Sequence, residues 1–158
     1  MIDTSEFRRV LGHFTTGVSI VTTRAENGQP RGLTVNAFSS VSLEPTLVMV
    51  CVEKVSDSHG CIHASGFYAV NVLAENGEAL SRRFATWGVE DKFQGVAYTE
   101  AKSGAPVLEA ALAWVDCRVV ESLSVGDHTV FVGEVLDADA REGRPLVYYR
   151  GGYGRFEP

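Results

Sequence analysis

Hydrophobic residues in this chain fall in short runs rich in β-branched side chains, which predicts strands more often than helices. Over residues 16–25, Val18, Ile20 and Thr22 alternate with Ser19, Val21 and Thr23, and the run ends at Glu26-Asn27-Gly28. The Asn-Gly pair is a hairpin signal, because both residues tolerate the positive φ that such turns need. A polar, small-residue segment over 34–42 then leads into an apolar run over 46–52. There Val48, Val50 and Val52 interleave with Leu47, Met49 and Cys51, which predicts a strand buried on both faces. Another apolar strand is expected over 67–73. A long alternating run over 111–125 turns at Gly126-Asp127-His128 into a partner over 129–138. A last strand covers 145–150, followed by the tail Gly151-Gly152-Tyr153-Gly154-Arg155-Phe156.

Helical spacing appears in three places. Asp3 or Thr4 opens a short, lid-like helix with Glu6 placed for a capping box, Phe7, Val10 and Leu11 on one face, and Gly12 as its stop. Two more are expected over 56–64 and 77–85, the latter with Leu80 and Phe84 one turn apart. Residues 87–104, with isolated Trp87, Phe93 and Tyr98, read as an irregular excursion. The sum is a mainly β protein, one domain over 1–158. Long antiparallel strands and Greek-key-length connections point to a closed or partly split β-barrel flanked by short helices.

Composition narrows the function classes. A 158-residue chain with 45% hydrophobic residues builds its own core without metal or disulfide staples. A net charge of −6 with scattered basic residues argues against a nucleic-acid partner, and no apolar run is long enough for a membrane helix. The start, Met1-Ile2-Asp3-Thr4-Ser5-Glu6, lacks a secretory pattern, so a cytoplasmic location is expected. Cys51, Cys61 and Cys117 show no CxxC spacing and read as reduced thiols, with Cys51 and Cys117 in the core. His59 and His63 flank Cys61 at helical spacing, but no second cluster supplies further ligands, so no metal is expected.

Candidate chemistry concentrates in residues 32–58. Lys54, Ser56 and Ser58 bring a cation and two hydroxyls to a strand-to-helix junction, where backbone amides and the helix dipole favour an anion. Upstream, Thr34, Asn36, Ala37, Ser39 and Ser40 would let a flat ligand approach the backbone. The same residues also fit two ordinary barrel strands with capping serines. No GxSxG elbow and no P-loop is present, and the late glycines of the tail leave no room for the helix of a dinucleotide fingerprint.

Five segments in order resemble the short-chain flavin reductase family: 12–18 (GHFTTGV), 32–45 (GLTVNAFSSVSLEP), 67–73 (FYAVNVL), 126–128 (GDH) and 131–135 (FVGEV). The resemblance covers residues 6 to 153. It implies an FMN-binding split barrel, usually a homodimer, in which NADH or NADPH reduces FMN or FAD for a separate flavin-dependent monooxygenase component. It implies that Thr34, Val35, Asn36, Ala37, Ser39 and Ser40 line the flavin ring and ribityl chain, and that Lys54, Ser56, Ser58 and the neighbouring His59 form the phosphate end. The resemblance also implies a second flavin-side segment over 81–85, where Arg82 or Arg83 would add charge and Phe84 would pack on the ligand, and it implies that His128 falls on the nicotinamide side as the catalytic candidate. Two alternatives stay open: a split barrel holding FMN tightly and reducing another acceptor, and a non-enzymatic flavin-binding barrel. The dimer is expected to use the aromatics of 87–98.

Overall fold

Every strand pairing in the computed structural model, which describes residues 1–158, is antiparallel. The chain runs α1 (Thr4–Leu11), β1 (Thr16–Gly17), β2 (Ser19–Arg24), β3 (Pro30–Val35), β4 (Phe38–Leu43), β5 (Thr46–Glu53), α2 (Asp57–Ser65) and β6 (Phe67–Leu73). It continues through α3 (Glu78–Ala85), β7 (Tyr98–Glu100), β8 (Pro106–Leu108), β9 (Ala111–Val125), β10 (His128–Ala140), β11 (Leu146–Tyr149) and β12 (Gly152–Arg155). The mainly β class and the flanking short helices are as expected.

Seven strands form one sheet in the order β3-β2-β6-β9-β10-β5-β4, with β3 and β4 as its edges. Only Asn36 and Ala37 separate those two edges in sequence. A flat sheet of this width would hold its edges roughly 30 Å apart, whereas so short a link reaches about 10 Å. The sheet therefore curls until its edges meet, and no ladder joins β3 to β4. This is a barrel split along one seam.

Two cores follow from the curl. Inside the barrel lie Val21, Val50, Val52, Tyr68, Val70, Cys117 and Phe131. Outside, against the other face of β2, lie Val18, Ile20, Leu73, Phe84, Phe93, Leu108 and Leu146. The strand buried on both faces is thus β2, whose residues 19–23 are all buried, and not β5 as its apolar run predicts. In β5 only Val48, Val50 and Val52 are buried; Leu47, Met49 and Cys51, on the opposite face of the strand, are only partly buried. Cys51 accordingly leaves the core while Cys117 stays in it. Gly133 permits the tightest point of the barrel: a Cβ there would stand 2.6 Å from the Tyr68 hydroxyl and 2.7 Å from Cys117 Cβ. The Tyr68 hydroxyl donates to Phe131 O at 3.1 Å, and burial, with Asp116 adding to it, pushes the Cys117 thiol up to about 12.

The excursion is more ordered than its composition predicts. β7 and β8 form a hairpin there, and buried Asp116 accepts from both the backbone and the hydroxyl of Ser103 in its turn. Arg24 Nε donates to Gly104 O at 2.7 Å. Phe93 turns inward, meeting Phe84 edge-on at 5.0 Å and Tyr98 at 5.5 Å, so Phe93 and Tyr98 are not a free surface, whereas Trp87 is exposed. The tail forms β12, which pairs with β11 and so joins β1 in a small second sheet. In α1, Asp3 caps the helix by accepting from Ser5 N at 2.8 Å, while Glu6 binds Arg9 instead of closing a capping box. No residue of α1 is buried. No helix is long and apolar enough to cross a membrane.

Candidate functional site

The end of β5 and the start of α2 open into a cavity of about 710 Å³, bounded by β3, α2 and residues 84–93. Local sequence explains its walls. Ser56 is the N-cap of α2, its side chain accepting from Ser58 N at 3.3 Å, and Gly66 closes the helix with φ 73°. Gly32 lets α3 settle on β3: a Cβ there would stand 2.9 Å from Phe84 Cε1, and Phe84 is buried as the cavity's inner wall. Thr34 Oγ1 donates to Ser81 O at 2.6 Å and so fixes the register of α3 on β3.

Charge in the cavity is mixed and local. Arg31 and Lys92 are its cations, facing Glu53, Asp57 and Glu90. The Lys92 ammonium donates to Phe84 O at 2.9 Å; burial lowers its pKa, and Asp57 opposes that shift. Asp57, a potential obstacle to an anion, therefore lies across from a cation. Together with the amides that begin α2, Arg31 and Lys92 give the cavity an anion-receptive side.

Of the residues expected to bind a ligand, Thr34, Ser56, Ser58 and Phe84 line this cavity. Val35 packs against the barrel core instead. Asn36 and Ala37 form the link across the seam, where Ala37 O accepts from Cys51 N at 3.1 Å, and Ser39 and Ser40 are exposed on the edge strand β4. Arg82 lies on another face of α3, paired with Glu78 at 2.9 Å and stacked 4.9 Å from the Tyr153 ring.

A second group gathers where β5, β10 and α2 meet. Lys54 Nζ donates to Gly126 O at 2.7 Å and its amide to Asp127 O at 2.9 Å, so Lys54 clamps the turn and does not line the cavity. His59 Nε2 shares a 2.8 Å hydrogen bond with Thr129 Oγ1, and its ring lies 5.5 Å from Phe131. His128 Nδ1 lies 2.7 Å from Asp127 Oδ1; a carboxylate only accepts, so Nδ1 carries the proton and Nε2 is left for other partners. The hydrogen bond from His128 holds the Asp127 carboxyl below its usual range. His128 is registered opposite Glu53, which lines the cavity, so the turn borders the cavity's mouth.

The family model described as flavin reductase like domain matches residues 11–157. The chain belongs to that family. It is 43% identical over 157 residues to the reductase component of a 4-nitrophenol 4-monooxygenase/4-nitrocatechol 2-monooxygenase from Rhodococcus opacus, covering 99% of this chain and 83% of that one. Among solved structures, nitrilotriacetate monooxygenase component B from Mycobacterium thermoresistibile superposes with a TM-score of 0.93 at 42% identity, over 99% of this chain and 88% of that one. The NADH:FAD oxidoreductase SgcE6 of Streptomyces globisporus C-1027, solved with NAD and FAD fragments, gives 0.92 at 38% identity, over 99% and 94%. Sequence reasoning missed Arg31, Lys92 and Trp87, which line the cavity from three separate positions. Arg31 carried a signal, since it directly precedes Gly32; Lys92 and Trp87 sit in the excursion and carried none.

Proposed function

We propose that this flavin reductase uses NADH or NADPH to reduce FMN or FAD, and releases the product to a separate flavin-dependent monooxygenase. What supports the site most is the convergence, beside the split seam, of the α2 N-terminus, Arg31 and Lys92 on one cavity floored by Gly32 and Phe84. Flavin, when bound, supplies the hydride-accepting chemistry. The chain's work is placement. Arg31, Lys92, Ser56, Ser58 and the first amides of α2 hold the phosphate, and they bind oxidised and reduced flavin alike. The strand from Gly32 to Thr34 and the link at Asn36 and Ala37 give a flat ring backbone to lie against. His128 orients the nicotinamide nucleotide through its free Nε2, with Asp127 fixing the tautomer. It need not move a proton in the hydride step.

The proposed assembly is a homodimer of single-domain subunits, formed through the outer face of β5 and β10. Leu47, Met49, Cys51, Val130 and Val132 make that face apolar and leave it half-exposed. Three free thiols suit a reducing compartment, so the proposed place of work is the cytoplasm. The test is turnover: catalytic protein should oxidise many equivalents of NADH when free flavin is added and almost none without it. A dialysed, yellow protein whose rate ignores added flavin would overturn the diffusible-flavin reading in favour of a prosthetic group.

A further inference from the structure

The cavity's residues are ordered along β3, because α3 runs antiparallel beside that strand. Thr34 meets Ser81, and Gly32, two residues nearer the strand's start, meets Phe84. Pro30 and Arg31 then fall opposite residues 86–88, which line the same cavity. From Thr34 to Pro30 the strand rises by about 14 Å. A flavin with its ring at the Thr34 end would direct its phosphate toward the α2 amides, Arg31 and Lys92. The same cavity is also lined by residues 86–90. At the Pro30 and Arg31 end the wall includes Trp87, which is 63% exposed although it lines the cavity, and which packs in no aromatic pair, unlike Phe84 and Phe93 beside it. Gly88, with φ 76°, turns the chain directly after it.

We propose that Trp87 is a stacking platform for the adenine of FAD, and that this chain prefers FAD to FMN. The proposal rests on the placement of flavin in this cavity given above. An FAD carries one more phosphate and an adenosine than FMN, and the cavity offers an unpartnered indole as well as two cations. Nucleobases stack on aromatic faces without needing hydrogen bonds, so an exposed indole at the correct distance is sufficient. Glu90 on the same wall disfavours any further phosphate at that end.

Equilibrium titrations with FAD and with FMN, in the absence of nicotinamide, test this on the wild type, Trp87→Ala and Trp87→Phe. The expected result is that Trp87→Ala weakens FAD by about tenfold while FMN changes by less than about twofold, and that Trp87→Phe recovers most of the loss. The KM for NADH should not move. Equal losses for both flavins, or no loss for either, would overturn the platform alone. A change confined to the KM for NADH would also overturn it, assigning Trp87 to the reductant's adenine. If the wild type binds neither flavin, the placement of flavin itself fails and the platform with it.

Discussion

β2 and β5 are both strands of the same sheet rich in β-branched residues, yet their outer faces meet different things. Ile20 on β2 is fully buried beneath α3 and the ordered excursion, in a cluster with Phe84, Phe93 and Leu108. Met49 and Cys51 on β5 are only partly buried. An apolar face on a strand states that something covers it; it does not state whether the cover is the same chain or another. On β2 the cover is internal. On β5 the proposed cover is a second subunit.

The contrast gives its largest expected effect at Ile20. Ile20→Ala leaves a cavity between barrel and excursion, and a loss of about 2–5 kcal/mol is expected in chemical unfolding. A loss below about 1 kcal/mol would mean that the outer core is loosely packed. On β5 the expected effect falls on association. Met49→Asp, at the centre of the exposed face, should raise the dimer Kd by more than about tenfold in sedimentation while each subunit keeps its secondary structure. A wild type that sediments as a monomer at micromolar concentration would remove the second subunit from the account.

The same distinction between local and distant causes explains what the sequence made legible. The hairpin at Asn27-Gly28, the turn at Gly126-Asp127-His128 and the strands of the main sheet are set by neighbours in the chain, and they stand as expected. The β7–β8 hairpin depends on Asp116 and Arg24, far away in sequence, and its strands of three residues carry no period of their own. β12 is glycine-rich and becomes a strand only because β11 offers it an edge. At the site, Ser56 and Ser58 were legible because capping a helix and facing its N-terminal anion site need the same residues. Lys54 follows the correct strand, but the clamp on Gly126 draws it to the turn, a contact spanning more than half the barrel's chain order. Arg31 and Lys92 take the cationic role through packing that no periodicity records.

A smaller effect concerns His59, which holds Thr129 beside the turn. Its pKa is lowered from 6.5, first by burial and then by the charges of His63 and Lys54. A base with a lowered folded pKa binds fewer protons folded than unfolded, so its stability contribution is full above the unfolded value and declines as pH falls through it. His59→Gln should therefore flatten the fall in Tm between about pH 7 and pH 5. An unchanged slope would place that titration elsewhere.

The central claim is that the flavin phosphate meets the cations of the cavity and not the lysine of the turn. Flavin titration of Arg31→Gln beside Lys54→Gln tests this most directly. Loss of a charge-assisted contact at Arg31 should weaken binding by about ten- to a hundredfold, whereas Lys54→Gln should leave affinity within about twofold. Full affinity in Arg31→Gln together with a large loss in Lys54→Gln would contradict the account and return the phosphate to the turn.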